Sequence, residues 1–131
     1  MAPAISIYNL HSMYSAQLLD YFQNPRNPGE VLEADATAEI ENPACGDVLR
    51  LTLKIRSGRV AEIRFKAKGC VPSMACASAL TELVAGRTLD ETRALKSDTL
   101  IAAVGGLPPA SNHAAQLALD ALSAALRQVK A

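Results

Sequence analysis

Hydrophobic and polar residues alternate most regularly near the middle of the chain. Two neighbouring runs place apolar residues at every second position: Leu49, Leu51, Leu53 and Ile55, then Ala61, Ile63, Phe65 and Ala67. A period of two residues is typical of strands with one buried face. The dipeptide Ser57-Gly58 separates the runs, and a pair of this kind is typical of a tight hairpin turn. This stretch therefore predicts two antiparallel strands joined by a two-residue turn.

The rest of the chain is patterned mostly as helix. A weaker alternation over Thr37–Glu41 predicts an edge strand before the hairpin. Apolar residues recur at helical spacing in three longer stretches, which cover 13–22, 73–84 and 117–129. Thr88 followed by Glu91 has capping-box spacing, and Ser97 is a second candidate start for a short helix. The order of elements predicts an α+β fold, with a small three-stranded antiparallel sheet packed on one face by helices and a long C-terminal helix.

Composition narrows the class of protein. A chain of 131 residues that is 50% hydrophobic can bury one core, so we expect a flexible leader over 1–12 and a single domain over 13–131. The 13 basic and 13 acidic residues are scattered, which argues against nucleic acid or an anionic membrane as a partner. No apolar stretch approaches the roughly 20 residues of a membrane span. Three cysteines and no secretory signal favour free thiols in the cytoplasm.

The predicted hairpin brings two of these cysteines together. A two-residue turn at Ser57-Gly58 places Cys45 opposite Cys70, and Asp47 opposite Lys68. Opposed Cβ atoms lie about 5 Å apart, close enough for two thiolates to share a metal or bridge two irons. Asp47 lies two residues beyond Cys45 and projects to the same face, where it adds an oxygen ligand. The open end of the hairpin is therefore a candidate metal site.

Each candidate ligand also has a structural interpretation. Cys70 precedes a predicted helix start, where unpaired N–H groups would favour the thiolate and lower the pKa of this thiol. A lone buried cysteine more often acts as a small hydrophobe, and Cys45 and Cys70 could instead form a disulfide in an oxidising compartment. For the pair we favour a metal or cluster. His113, before the last helix, is either a metal ligand or a histidine that hydrogen-bonds at a helix start.

Several segments together resemble the IscU/NifU family of iron–sulfur scaffolds. They are Asn24-Pro25-Arg26-Asn27, Pro43-Ala44-Cys45-Gly46-Asp47, Gly69-Cys70, Leu107-Pro108-Pro109 and His113. The resemblance spans roughly residues 14 to 129. It implies a scaffold rather than an enzyme, on which a cysteine desulfurase delivers sulfur and iron joins it. A labile two-iron two-sulfur cluster then passes to iron–sulfur acceptor proteins. By position, the resemblance implies that Cys45, Asp47, Cys70 and His113 are the ligands.

The chain departs from this family at three positions. Ala114 follows His113 where the family has its third cysteine, and Ser111 stands where the family has a lysine used in chaperone recognition. The second departure argues against chaperone-driven transfer. Cys76 lies in the helix after Cys70, and its thiol could reach back to replace the missing ligand, since helical side chains lean toward the N-terminus. Cys76 also lies on the apolar face of that helix, and we favour an inert buried cysteine there.

Two other functions remain open. Two thiolates, an imidazole and a carboxylate would complete a tetrahedral zinc site, in a SufU-like sulfurtransferase that accepts sulfur on a thiolate. Alternatively, the chain kept the fold as a binding or regulatory module without cluster chemistry. The residues that motivate this last hypothesis are Ala114 and Ser111.

Overall fold

The computed structural model of the protein describes residues 13–43 and 46–129. In chain order the elements are α1 (Ala16–Gln23), β1 (Ala36–Asn42), β2 (Asp47–Arg56), β3 (Arg59–Lys68), α2 (Val71–Val84), α3 (Leu89–Arg93), α4 (Ser97–Ala103), a 3₁₀ turn (Pro109–Ser111) and α5 (His113–Leu126). The strands form one antiparallel sheet in the order β1-β2-β3. The predicted α+β fold is confirmed. The predicted leader lies outside the described residues, and the single domain stays a prediction.

The core lies between the sheet and helices α2 and α5. Strand β2 contributes side chains that are at most 1% exposed, namely Leu49, Leu51 and Leu53. Helix α2 contacts α1, α5 and β3, and 10 of its 14 residues are buried. Many of these are alanine or serine, whose small side chains let neighbouring elements approach closely. Helix α2 is therefore held on several sides. Within the described residues, no helix is both long and apolar enough to cross a membrane.

The two-residue turn is present as predicted. Ser57 and Gly58 connect β2 to β3, and their φ angles are 55° and 72°. Two successive positive φ values are typical of the type I′ turn, whose twist matches that of the flanking strands. The turn thus starts the hairpin in the predicted register.

A β-bulge then changes that register. Ile55 pairs with Val60, but the next pair toward the open end is Lys54 with Glu62. Ala61 is therefore an extra residue on β3. Val60 is fully buried, and Ala61, which the alternation placed in the core, is exposed. The larger apolar side chain fills the core, and the bulge accommodates the smaller one.

The bulge makes one site prediction wrong. Val48, rather than Asp47, lies opposite Lys68, because the extra residue shifts every pair beyond it by one position. The predicted pairing of Cys45 with Cys70 depended on the same register. Cys45 lies outside the described residues.

The Asn-Pro-Arg-Asn segment at 24–27 links three elements through its backbone. The N–H of Arg26 donates to Ser78 Oγ at 2.9 Å, and Thr81 Oγ1 donates to the carbonyl of Arg26 at 3.1 Å. The N–H of Phe65 donates to the carbonyl of Asn27 at 3.1 Å. This segment therefore anchors α1 to α2 and to β3.

Two helix starts show how well capping could be anticipated. The capping box of α3 is confirmed, because Thr88 and Glu91 each accept the backbone N–H of the other. Helix α1 begins at Ala16 rather than at Met13. Its N-cap is Ser15, whose hydroxyl accepts a backbone N–H from the first turn.

Candidate metal centre

The carboxylate of Asp47 lies against the start of helix α2. Asp47 is the first residue of β2, and Cys70 is the N-cap of the helix. The backbone N–H of Cys70 donates to Asp47 Oδ1 at 2.9 Å. The close approach depends on Gly69, since a Cβ there would lie 2.0 Å from the same oxygen. Asp47 thus caps the helix from a neighbouring strand and places a negative charge at the positive end of the helix dipole.

Ser73 completes the buried side of this group. Its hydroxyl donates to Asp47 Oδ2 at 2.8 Å. The sulfur of Cys70 lies 3.2 Å from Ser73 Oγ and 3.3 Å from Asp47 Oδ2. Asp47 is 1% exposed and Ser73 is 4% exposed. Ser73 was not among the predicted site residues, although its spacing of three residues from Cys70 in the first turn of a helix was a usable signal.

His113 closes the group from the other side. It is the first residue of α5, and its Nε2 lies 3.6 Å from Asp47 Oδ2 and 4.0 Å from Cys70 Sγ. The imidazole is 33% exposed and adjoins a surface groove of about 250 Å³. The structure therefore brings together three of the predicted site residues, with His113 and Cys70 toward solvent and Asp47 beneath them. The fourth, Cys45, is not among the described residues.

The spacing of these three side chains fits a metal ion. Their ligand atoms all lie within 4.8 Å of one another. A tetrahedral ion with a bond of about 2.3 Å to sulfur and about 2.0 Å to nitrogen or oxygen needs ligand atoms about 3.3–3.5 Å apart. In the structure the sulfur–oxygen, nitrogen–oxygen and sulfur–nitrogen separations are 3.3, 3.6 and 4.0 Å. Binding of one ion would therefore require only small side-chain movements. A thiol, an imidazole and a carboxylate suit zinc or iron.

The same contacts shift the pKa values of two of these residues. Burial opposes the charge of Asp47, but hydrogen bonds from Ser73 and Cys70 outweigh it and lower the pKa of this carboxyl. Burial raises the pKa of the Cys70 thiol; hydrogen bonding with Ser73 acts in the opposite direction, and the charge of Asp47 adds to the rise. The predicted lowering of the Cys70 pKa is wrong, because burial of the thiol raises this pKa and the negative charge of Asp47 at the helix start adds to the rise.

Comparison with known proteins agrees with this architecture. Residues 13–131 match the sequence model of the family described as the NifU-like N terminal domain. The chain belongs to the NifU-like N-terminal domain family. It is 40% identical to the iron-sulfur cluster assembly scaffold protein IscU of Azotobacter vinelandii over 121 residues, which are 89% of this chain and 94% of that protein.

Two further similarities cover most of this NifU-like domain. Iron-sulfur cluster assembly scaffold protein IscU 1 of Archaeoglobus fulgidus is 39% identical over 114 residues, which are 87% of this chain and 74% of that protein. The crystal structure of a nitrogen-fixing NifU-like protein (N-terminal) from Brucella abortus matches with a TM-score of 0.73 at 25% identity, covering 91% of this chain and 95% of that one. Sequence and fold therefore agree across nearly the whole domain.

Cys76 and Ala114, the two core residues for which the sequence suggested a departure from the family, are both buried in this NifU-like domain. Cys76 is 0% exposed within the core, and burial raises the pKa of its thiol to about 12. In the part of the chain that the structure describes, the clustered ligand atoms come from Asp47, Cys70 and His113 alone. Ala114 is 1% exposed and packs in the core. The burial of Cys76 and its position outside the ligand group favour an inert thiol.

Proposed function

We propose that this chain is an iron–sulfur cluster assembly scaffold or carrier. Iron and sulfide, the latter supplied by a cysteine desulfurase, would form a labile two-iron two-sulfur cluster on it, and acceptor proteins would receive that cluster. The observation that carries the proposal is the convergence of a thiol, an imidazole and a carboxylate at one partly exposed point. The similarity to IscU relatives, which are named as iron-sulfur cluster assembly scaffold proteins, supports it. The chain acts in this proposal as a scaffold and not as an enzyme.

The mixed ligand set suits a group that is delivered rather than kept. Sulfur ligands match soft iron–sulfur chemistry, whereas a carboxylate matches it poorly, so a site with few thiolates holds a cluster loosely. We assign Cys70, His113 and Asp47 as ligands and Cys45 as the second thiolate, since it precedes Asp47 by two residues. The His113 side chain is partly exposed, so a partner can approach this part of the site.

Anaerobic reconstitution with ferrous iron and sulfide tests this function. We expect near two irons and two sulfides per cluster site, with visible absorption from thiolate-to-iron charge transfer. Cys70→Ala and His113→Ala should each reduce the yield, whereas the control Cys76→Ala should retain it, because Cys76 lies outside the ligand group. A protein that takes up neither iron nor sulfide would exclude the scaffold function and leave the zinc-dependent sulfur acceptor or a binding or regulatory module.

A zinc-dependent sulfur acceptor is the second candidate, and the separations that fit one tetrahedral ion favour it. Zinc would hold the site until Cys70 is released. The Cys70 thiolate would then take the terminal sulfur of a donor persulfide and leave the donor as a thiolate. Metal analysis of protein purified without added iron separates the candidates, because this function predicts about one zinc per chain and no colour.

A further inference from the structure

We propose that Ser73 is a positioning residue that donates a hydrogen bond to the sulfur of Cys70 when that sulfur binds a metal, having turned its hydroxyl away from Asp47. This inference rests on the proposed metal site and deepens it. Its basis is the position of Ser73 Oγ, which lies 2.8 Å from Asp47 Oδ2 and 3.2 Å from Cys70 Sγ. Ser73 thus contacts two of the proposed ligands with one rotatable hydroxyl.

The direction of each hydrogen bond follows from counting protons. An ionised carboxylate only accepts, so the single hydroxyl proton of Ser73 points to Asp47. The Cys70 thiol has one proton, which it directs to Ser73 Oγ at 3.2 Å or to Asp47 Oδ2 at 3.3 Å. Every proton in the group is therefore used while Cys70 is a thiol.

Metal binding changes this pattern. A cysteine binds a metal as the thiolate, so its proton leaves and the sulfur can only accept. If Asp47 Oδ2 also bound the metal, that oxygen would need the hydroxyl of Ser73 less. Ser73 can then redirect its proton to the sulfur by rotating the O–H bond, with Oγ already in place at 3.2 Å. Hydrogen bonds to ligating sulfur orient the ligand and tune the metal.

The chain offers a matched control for the burial of a serine. Ser78 lies on the same helix, is 0% exposed, and accepts the N–H of Arg26 at 2.9 Å. Within the described residues, its hydrogen bonds join Ser78 to Arg26 and Thr81 rather than to the proposed ligands. Removing the Ser78 hydroxyl therefore tests the loss of a buried polar contact in α2, whereas removing the Ser73 hydroxyl also removes the donor beside Cys70.

The test is titration of the folded protein with Co²⁺, followed by competition with Zn²⁺, in the wild type and in Ser73→Ala, Ser73→Thr and Ser78→Ala. We expect Ser73→Ala to weaken Co²⁺ binding about 10- to 100-fold and to move the thiolate-to-cobalt charge-transfer band to lower energy, because the thiolate loses a hydrogen-bond donor. Ser73→Thr, which keeps the hydroxyl, should restore both. Ser78→Ala should lower the melting temperature and leave affinity and band unchanged.

Each result separates the positioning role from the metal site itself. Wild-type affinity and an unshifted band in Ser73→Ala would overturn the role of Ser73 while leaving the metal site intact. Equal losses of affinity in Ser73→Ala and Ser78→Ala, with no shift of the band, would also overturn it, because both would then reflect stability alone. A wild-type protein that binds neither Co²⁺ nor Zn²⁺ would overturn the metal site as well.

Discussion

Gly69→Ala should destabilise the protein far more than an ordinary glycine substitution. Gly69 joins β3 to α2 with a φ of +137°, a conformation that L residues rarely adopt. A Cβ at this position would lie 2.0 Å from Oδ1, 2.7 Å from Cγ and 2.9 Å from Cα of Asp47. Rotation of the carboxylate can relieve the first two contacts. The third involves backbone, so the chain around Asp47 must shift.

The expected loss of stability in Gly69→Ala has two parts. The unfavourable backbone conformation costs about 1–3 kcal/mol. Displacing the Asp47 carboxylate breaks its bonds with the Cys70 N–H and the Ser73 hydroxyl, and each hydrogen bond to a charged group contributes about 1.5–3 kcal/mol. Because partial relaxation of the structure reduces both costs, we expect a loss of about 3–5 kcal/mol in the free energy of unfolding. The total free energy of unfolding of a typical domain is about 5–15 kcal/mol.

Urea unfolding followed by far-ultraviolet circular dichroism measures this loss, and Gly86→Ala is the matched control. Gly86 has a φ of +84°, and an added Cβ would meet nothing within 4 Å. The control should therefore lose only the conformational part, about 1–2 kcal/mol. If Gly69→Ala were no less stable than Gly86→Ala, the close approach of Gly69 to Asp47 would not be a constraint and the reasoning would be refuted.

Three further predictions concern other parts of the fold. In the folded protein, iodoacetamide should modify Cys70 well before Cys76, which is 0% exposed; equal labelling in peptide mass mapping would contradict this. Thr88→Ala should lower the free energy of unfolding by about 1 kcal/mol, because α3 loses its cap; an unchanged urea midpoint would count against it. Gln128→Ala removes the side chain that pairs with both backbone groups of Thr37. It should increase self-association through the β1 edge, measurable by sedimentation, and an unchanged sedimentation profile would contradict this.

The sequence predicted the elements better than their exact alignment. Period-two alternation located the strands, and Ser57-Gly58 identified the turn, because both signals depend on residues close together in the chain. The bulge could not be located in this way. Val60 and Ala61 are both apolar, so the alternation could be continued through either one, and packing against the core decides between them.

The candidate site was anticipated only in part. The structure brings Asp47 near Cys70, but not through the strand pairing that was predicted. Cys70 lies beyond the end of β3 and is the N-cap of α2, and its backbone N–H donates to the Asp47 carboxylate. The position of His113 could be anticipated only from the resemblance, because a single histidine carries no periodic signal. Ser73 was missed because a serine in an apolar helix is ordinary. The pKa of Cys70 is raised by burial of the thiol and by the nearby charge of Asp47, and both result from tertiary folding.

The bulge at Ala61 also limits how the hairpin can vary in length among relatives. In a hairpin with a fixed two-residue turn, gain or loss of one residue on either strand turns the remaining side chains of that strand to the opposite face. In this chain one such residue is absorbed at Ala61, and Asp47 still faces the start of α2. A relative with a hairpin one residue shorter on β3 should lack the bulge, and longer hairpins should gain residues in pairs. Alignments of the family can therefore be checked for insertions that preserve this parity.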